Sequence, residues 1–440
     1  MKKTVSEQII EIDNPRILKW IDLFWSIQKQ IKNLKDKYII KLNLVKSTKN
    51  KLYFNVVFVE GFKGFIDEPF FPTVEAGFPQ KAGLPLAEKP ASTCANDISC
   101  LIIPTGIGAR FGGFAGDANP IANLIAKTSK YLLTHPNVVN GAVLSDVPDN
   151  LIYLEGFLLD QFLLGRINLI PTRENKIGVI FDKRISEERL DYEVNVLNAL
   201  KAFYGCEIIG WTVTDESIDV NPRVNELGFS SGKINNLEFI IEKANKLKEL
   251  GASAIAICCA ISDLELNKDY VSGKGIDPIG GIESIISHSV SALTGLVSAH
   301  APVLLTNEEI DYKKISPVSA SEYIAKTFLP SVISGLRFAP QIRDQRIRKL
   351  EVQKSFQDIG NIIVPYNAFG SAGIFYLNEI FRNVILIKEN KTCLEVDPNH
   401  LNISFKKFDN YRELIKTEIV KDCGIDPDVL KRSVNKVQKI

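Results

Sequence analysis

Three of the chain's four histidines stand in short motifs that also carry the other groups proton transfer requires: His135 in THPNVVNG, His288 in GIDPIGGIESIISH and His300 in SAHAP. Imidazole exchanges protons near neutral pH, and a carboxylate beside it fixes its tautomer and steadies the charged form. The acidic residues in comparable glycine-rich settings are Asp117 and Asp277. The candidate catalytic set is therefore His288, His135, His300, Asp117 and Asp277. Each histidine alone reads more readily as a hydrogen-bonded core residue, Asp117 could instead cap the helix that follows it, and Asp277 reads equally well as an N-cap. No HxH, HExxH or HxxxH spacing is present, which argues against a metal.

The segment PTGIGARFGGFAGDANP, Pro104 to Pro120, leaves a short apolar run and opens a helical one. Glycines let a backbone approach a ligand closely, and free N–H groups at a helix start suit a phosphate or carboxylate. Thr105, Gly106, Gly108, Gly112 and Gly113 are read as anion-binding, with Arg110 as the pairing cation and Asn119 as a further polar contact. Asn137 joins them from the His135 motif, and Gly280 and Gly281 from a second glycine-rich helix entry. The spacing matches neither the dinucleotide fingerprint nor the Walker loop, since Phe111 stands where a third glycine belongs and no Gly-Lys-Ser/Thr follows.

A third glycine-rich turn, PYNAFGSAG, joins a strand to a helix near the C-terminus. Gly370, Ser371 and Gly373, with Glu389 after the next strand, form a weak nucleotide-binding pattern, so NAD(P) is kept as an alternative cofactor. Cys258 and Cys259 end a buried apolar run, where a nucleophilic thiol is conceivable but a buried free cysteine is commoner.

Positioning these motifs calls for an α/β architecture. Strand-like and helical runs alternate from residue 98 onward, which predicts Rossmann-like, mostly parallel sheets with flanking helices. Before them, a helical period from Asn14 (N-cap) and Pro15 to Lys35 and two alternating runs, Tyr38 to Val45 and Leu52 to Val59, predict a small N-terminal α+β module. The expected division is 1–66 for this module, 67–97 for a Pro/Gly-rich linker, 98–350 for the main α/β domain and 351–440 for a C-terminal βαβ unit and tail. Strands are expected at Cys100 to Ile103, Tyr131 to Thr134, Gly141 to Leu144 and Ala254 to Cys259, and one helix over Ala320 to Val332.

Composition limits the partners. A net charge of +1 over 440 residues gives no field to draw the chain to nucleic acid or a membrane surface. Seven cysteines without CxxC spacing, and an N-terminus without an apolar leader, point to a reduced, cytoplasmic setting. A small anionic metabolite is the expected partner, and a homo-oligomer is left open.

Taken together, PTGIGARFGGFAGDANP, THPNVVNGA, GIDPIGGIESIISH, SAHAP and TFLP resemble a bacterial family, common in cyanobacteria, carried as a domain of unknown function. The resemblance spans about Cys100 to Ile387 and implies no established activity. The residues themselves predict an enzyme of isomerase, lyase or hydrolase type using histidine and aspartate as acid and base. The alternatives are an NAD(P)-dependent oxidoreductase and a non-catalytic metabolite-binding or sensor protein.

Overall fold

The structure is a computed structural model and describes residues 2–14, 19–61, 97–261, 268–304, 311–344, 352–381, 384–401 and 404–422. Two parallel sheets carry the α/β part. The larger has six strands, ordered Lys406–Phe408, Val384–Ile387, Ile359–Pro365, Ile98–Leu101, Tyr131–Thr134 and Leu151–Tyr153. The smaller has four, ordered Val297–His300, Ala254–Cys258, Lys176–Phe181 and Glu207–Val213. Val297–His300, Ala254–Cys258, Ile98–Leu101 and Val384–Ile387 are buried throughout. Helices cover both faces of a parallel sheet, so such strands read as unbroken apolar runs.

A five-stranded antiparallel sheet joins the N-terminal region to a later segment. Thr4–Asp13 pairs with Lys51–Glu60 on one side and with Ser230–Asn235 on the other; Lys37–Ser47 and Asp219–Val224 form the edges. The helix Gly280–Thr294 packs against this sheet, the strand Val297–His300 and the helix Gly156–Leu163. Its close approach depends on Gly281, where a Cβ would run into the Ser230 carbonyl. No helix among the described residues is long and apolar enough to cross a membrane.

The fold is the mixed α/β architecture expected, and several local expectations are corrected. The first helix is Trp20–Gln28, preceded by Lys19. Asn14 does not cap it, because its amide donates to the Thr48, Lys49 and His400 carbonyls; Pro15 lies outside the described residues. Gly141 and Leu144 form an isolated bridge, and the strand falls at Leu151–Tyr153. The helical stretch expected over Ala320 to Val332 is two helices, Ala320–Tyr323 and Leu329–Leu336. The second starts with Pro330 in its first turn, where a missing N–H costs nothing. Ala325, Lys326 and Phe328, between them, face the cavity described next. The expected linker over 67–97 lies outside the described residues apart from Asp97.

Candidate active site

Both parallel sheets direct strand C-termini to one cavity of about 730 Å³, the place where α/β sites assemble. His135 follows Tyr131–Thr134, Glu155 follows Leu151–Tyr153, and His300 ends Val297–His300. All three line the cavity, with His288 from the helix Gly280–Thr294.

Glu155 is the N-cap of Gly156–Leu163, with Oε2 accepting from the Phe157 N–H at 2.8 Å and Oε1 from the Leu158 N–H at 2.7 Å. Its Oε2 also lies 2.7 Å from His288 Nδ1. The carboxylate, 1% exposed, is held by backbone amides close against Nδ1, an ion-pair approach without hydrogen-bond geometry. The ring sits directly over Gly156, where a Cβ would come within 2.6 Å of Cε1 and 2.9 Å of Nε2.

The other two cavity histidines differ in kind. His135 Nε2 accepts the Ile103 N–H at 3.0 Å, and His300 Nε2 accepts the Cys259 N–H at 3.3 Å. Accepting at Nε2 puts the proton on Nδ1. Burial pushes each down to about 3, with the neighbouring His288 adding to the effect at His135. Both are neutral donors near pH 7, so the three histidines do not play equivalent parts.

One wall is acidic. Asp277 Oδ1 accepts from the Ile279 and Gly280 N–H groups at 2.9 and 3.0 Å. Glu322 Oε1 accepts from the Ala115 N–H at 2.8 Å and the Tyr270 hydroxyl at 2.5 Å. Burial, then the Asp277 charge, pushes Glu322 up to about 8. Burial likewise raises Asp277, and it raises Glu283 well above the carboxylate range, reinforced by Asp277 and Glu322. Glu322, at about 8, holds its proton near neutrality and can donate it. Asp160, on the helix capped by Glu155, accepts from Ser371 Oγ at 2.7 Å and the Gly373 N–H at 3.2 Å. Burial pushes it up to about 6, against those bonds and the nearby His288.

Arg189 supplies the cation. Its Nε donates to Glu193 Oε1 at 2.8 Å and its Nη2 to the Lys326 carbonyl; Glu193 is fully buried and also accepts from Thr327 Oγ1 at 2.6 Å. Arg189 and Lys326 both line the cavity.

Of the residues picked from sequence, His135, His288, His300, Asp277, Thr105, Gly113, Asn137, Gly280 and Ser371 line the cavity. The others sit elsewhere. Gly106, Gly108, Gly112 and Gly116 take positive φ and pack against Ser230, Gly275, Ile103 and Gly141, so these loop glycines serve a close-packed turn. Arg110 is exposed, with its guanidinium 5.8 Å from the Phe111 ring. Asp117 ties the loop by accepting the Gly112 and Phe114 N–H groups at 2.8 and 3.4 Å, and burial pushes it up to about 6. It does not cap the next helix, whose N-cap is Ala118. Asn119 donates to the Asp146 carbonyl, and Gly281 meets Ser230. At the C-terminal turn, Gly370 backs onto Leu44 and its carbonyl accepts the Leu44 N–H, Gly373 bonds Asp160, and Glu389 accepts the Tyr411 N–H at 2.8 Å. Cys258 and Cys259 are buried thiols whose pKa burial raises, an inert setting.

Sequence reasoning missed Glu155, Asp160, Glu283, Glu322, Arg189 and Lys41 as cavity residues. Glu155 and Asp160 are visible as charges interrupting an apolar run, LIYLEGFLLDQFLLG, a costly placement unless the groups have a task. Glu322 and Arg189 carry no comparable local signal. Among the described residues, no group of three or more His, Cys, Asp or Glu is placed to hold a metal ion.

Comparison with known proteins adds a family but no chemistry. The family described as "Protein of unknown function (DUF3326)" matches residues 98–431. A protein of Synechococcus sp. named an uncharacterized lipoprotein is 34% identical over 336 residues, 76% of this chain and 92% of that protein. No solved structure matches the chain.

Proposed function

The chain belongs to the DUF3326 family, and we propose that it is an enzyme that moves a proton on a small metabolite bearing a carboxylate or phosphate. The observation that carries this reading is the His288–Glu155 pair at 2.7 Å, backed by two amide bonds to Glu155, on the wall of a cavity large enough for a metabolite. Nε2 of His288 takes the proton, and Glu155 stabilises the imidazolium that results. Protonated Glu322 or Glu283 returns a proton to the developing oxyanion or leaving group. Neutral His135 donates from Nδ1 and polarises a carbonyl without adding charge, a role that suits an imidazole kept neutral by its setting.

The ligand's anion is assigned to Arg189 and Lys326, in place of the exposed Arg110. A guanidinium pre-set by a buried carboxylate loses little freedom on binding. Glu322, raised to about 8, carries little negative charge near neutral pH, which lessens the repulsion of an anionic ligand. A cytoplasmic setting belongs to the same proposal.

The test works with an unidentified substrate. Purified protein is incubated with a cell metabolite extract in deuterated water and the extract is read by mass spectrometry. The proposal expects protein-dependent deuterium in a discrete carboxylate or phosphate metabolite, lost with His288→Gln. Labelling that persists unchanged in the variant, or no labelling with the native protein, would overturn it.

A further inference from the structure

Lys41 is a cavity residue whose chemistry the proton-transfer reading leaves unused, and its placement is specific. It lies on the edge strand Lys37–Ser47, where the pairing register with Lys51–Glu60 shifts between Ile39 and Lys41. Burial alternates along the strand from Lys37 to Leu44, and Lys41 and Asn43 fall on the same face; both line the cavity, with Ile40 beside them. Asn43 bridges to Ser371, which bonds Asp160, so the strand and the Asp160 carboxyl meet at the same end of the site.

Lys41 is half-buried on the cavity wall. Among the described residues Lys41 makes no ion pair, and the carboxylates that act on it are Glu7 and Asp160. Glu7 is already engaged by Arg223, Ser231 and Asn55, and Asp160 by Ser371 and Gly373. Burial therefore outweighs both and lowers the Lys41 pKa, which increases the fraction of free amine near neutral pH. Asp160, which acts on the amine, and His288 line the same cavity, and the charges of those two reach each other.

Resting on the proton-transfer reading, we propose that Lys41 is a nucleophile that forms an imine with the substrate, which makes the substrate a carbonyl compound bearing an anionic group. The Nζ lone pair adds to the carbonyl carbon, and the carbonyl π pair moves to oxygen, which takes a proton from Asp160. The nitrogen loses a proton, a second proton reaches the hydroxyl, and water leaves as the C=N bond forms. Amine, carbonyl and one net proton give a protonated imine, the iminium, and water, with no change of oxidation state. The iminium withdraws electrons from the adjacent C–H bond, which is the proton His288 would remove.

The test traps the imine by reduction. The protein is treated with sodium cyanoborohydride and either limiting formaldehyde, small enough for any cavity, or pyruvate, a minimal carbonyl acid. Peptide mass spectrometry then compares Lys41 with exposed Lys127 and Lys201. The proposal expects Lys41 to be modified ahead of both surface lysines by each probe. It also expects the adduct to survive in His288→Gln, and Lys41→Arg to abolish the deuterium labelling described above while remaining folded. Formaldehyde that favours the surface lysines, or labelling retained in Lys41→Arg, overturns the nucleophile. Modification by formaldehyde but not pyruvate overturns the assignment to a carbonyl acid. Loss of labelling in His288→Gln without a preferred Lys41 adduct would remove the lysine and leave the histidine reading standing.

Discussion

Gly156→Ala probes the site without touching a charged group. The added methyl would stand 2.6 Å from His288 Cε1, whereas ordinary contact begins near 3.4 Å, so the imidazole must retreat by about 0.8 Å or rotate. Either motion spoils the 2.7 Å approach of Nδ1 to Glu155. Stability should fall by up to about 2.5 kcal/mol. Alanine gains roughly 0.5–1 kcal/mol over glycine in a helix, set against about 1–3 kcal/mol for crowding a packed site. Catalysis should fall in the folded variant, since misplacing a reacting group by about 1 Å can cost ~10²-fold in rate, near 3 kcal/mol of barrier. The assay is protein-dependent deuterium incorporation, read beside a thermal melt. A folded variant with the native rate would refute the claim that His288 works from this position. An unfolded variant is checked against Gly156→Ser, whose crowding is the same and whose hydroxyl can bond locally. Native activity in a folded serine variant refutes it equally.

Further outcomes follow from the same geometry. Glu155→Ala should cost about 1–3 kcal/mol in urea denaturation, because two helix-start N–H groups lose their acceptor; an unchanged midpoint would contradict the capping role. Glu322 sits near 8 when folded against an ordinary 4.5, so its stabilising proton is fully effective at low pH and is lost as pH rises through that window. Glu322→Gln should therefore melt increasingly above the native protein as pH climbs from about 5 to about 9, and parallel curves would contradict the raised value. His135 and His300, held near 3, should show neutral Nδ1–H imidazoles in nitrogen-15 spectra across neutral pH, and a titration near 6.5 in either would be contrary.

Much of this site is legible from sequence because glycine and histidine are distinctive enough to stand out, and strand-to-helix turns put them at sheet ends. His135, His288, His300, Asp277 and Gly280 reach the cavity on that logic. The glycine-rich loop misleads in part. Composition shows that a backbone is tight but not whether a ligand or the protein fills the space, and Gly106, Gly108 and Gly112 face protein atoms. Arg110 misleads for a related reason, since a side chain's direction depends on the turn that carries it. Arg189, Glu322 and Lys41 are out of reach. Their places depend on a helix that packs across from another segment, on a break between two short helices, and on which face of an edge strand meets the cavity. The strands Thr4–Asp13 and Ser230–Asn235 escape a local reading because their partners lie far away in the chain.

The most direct test of the central claim is a crystal structure of the protein with the metabolite it labels. The proton-bearing atom should lie within about 2.6–3.2 Å of His288 Nε2, and the anionic group should lie against Arg189. A ligand seated instead on the Gly370–Gly373 turn, or one whose reacting atom lies out of reach of His288, would contradict it.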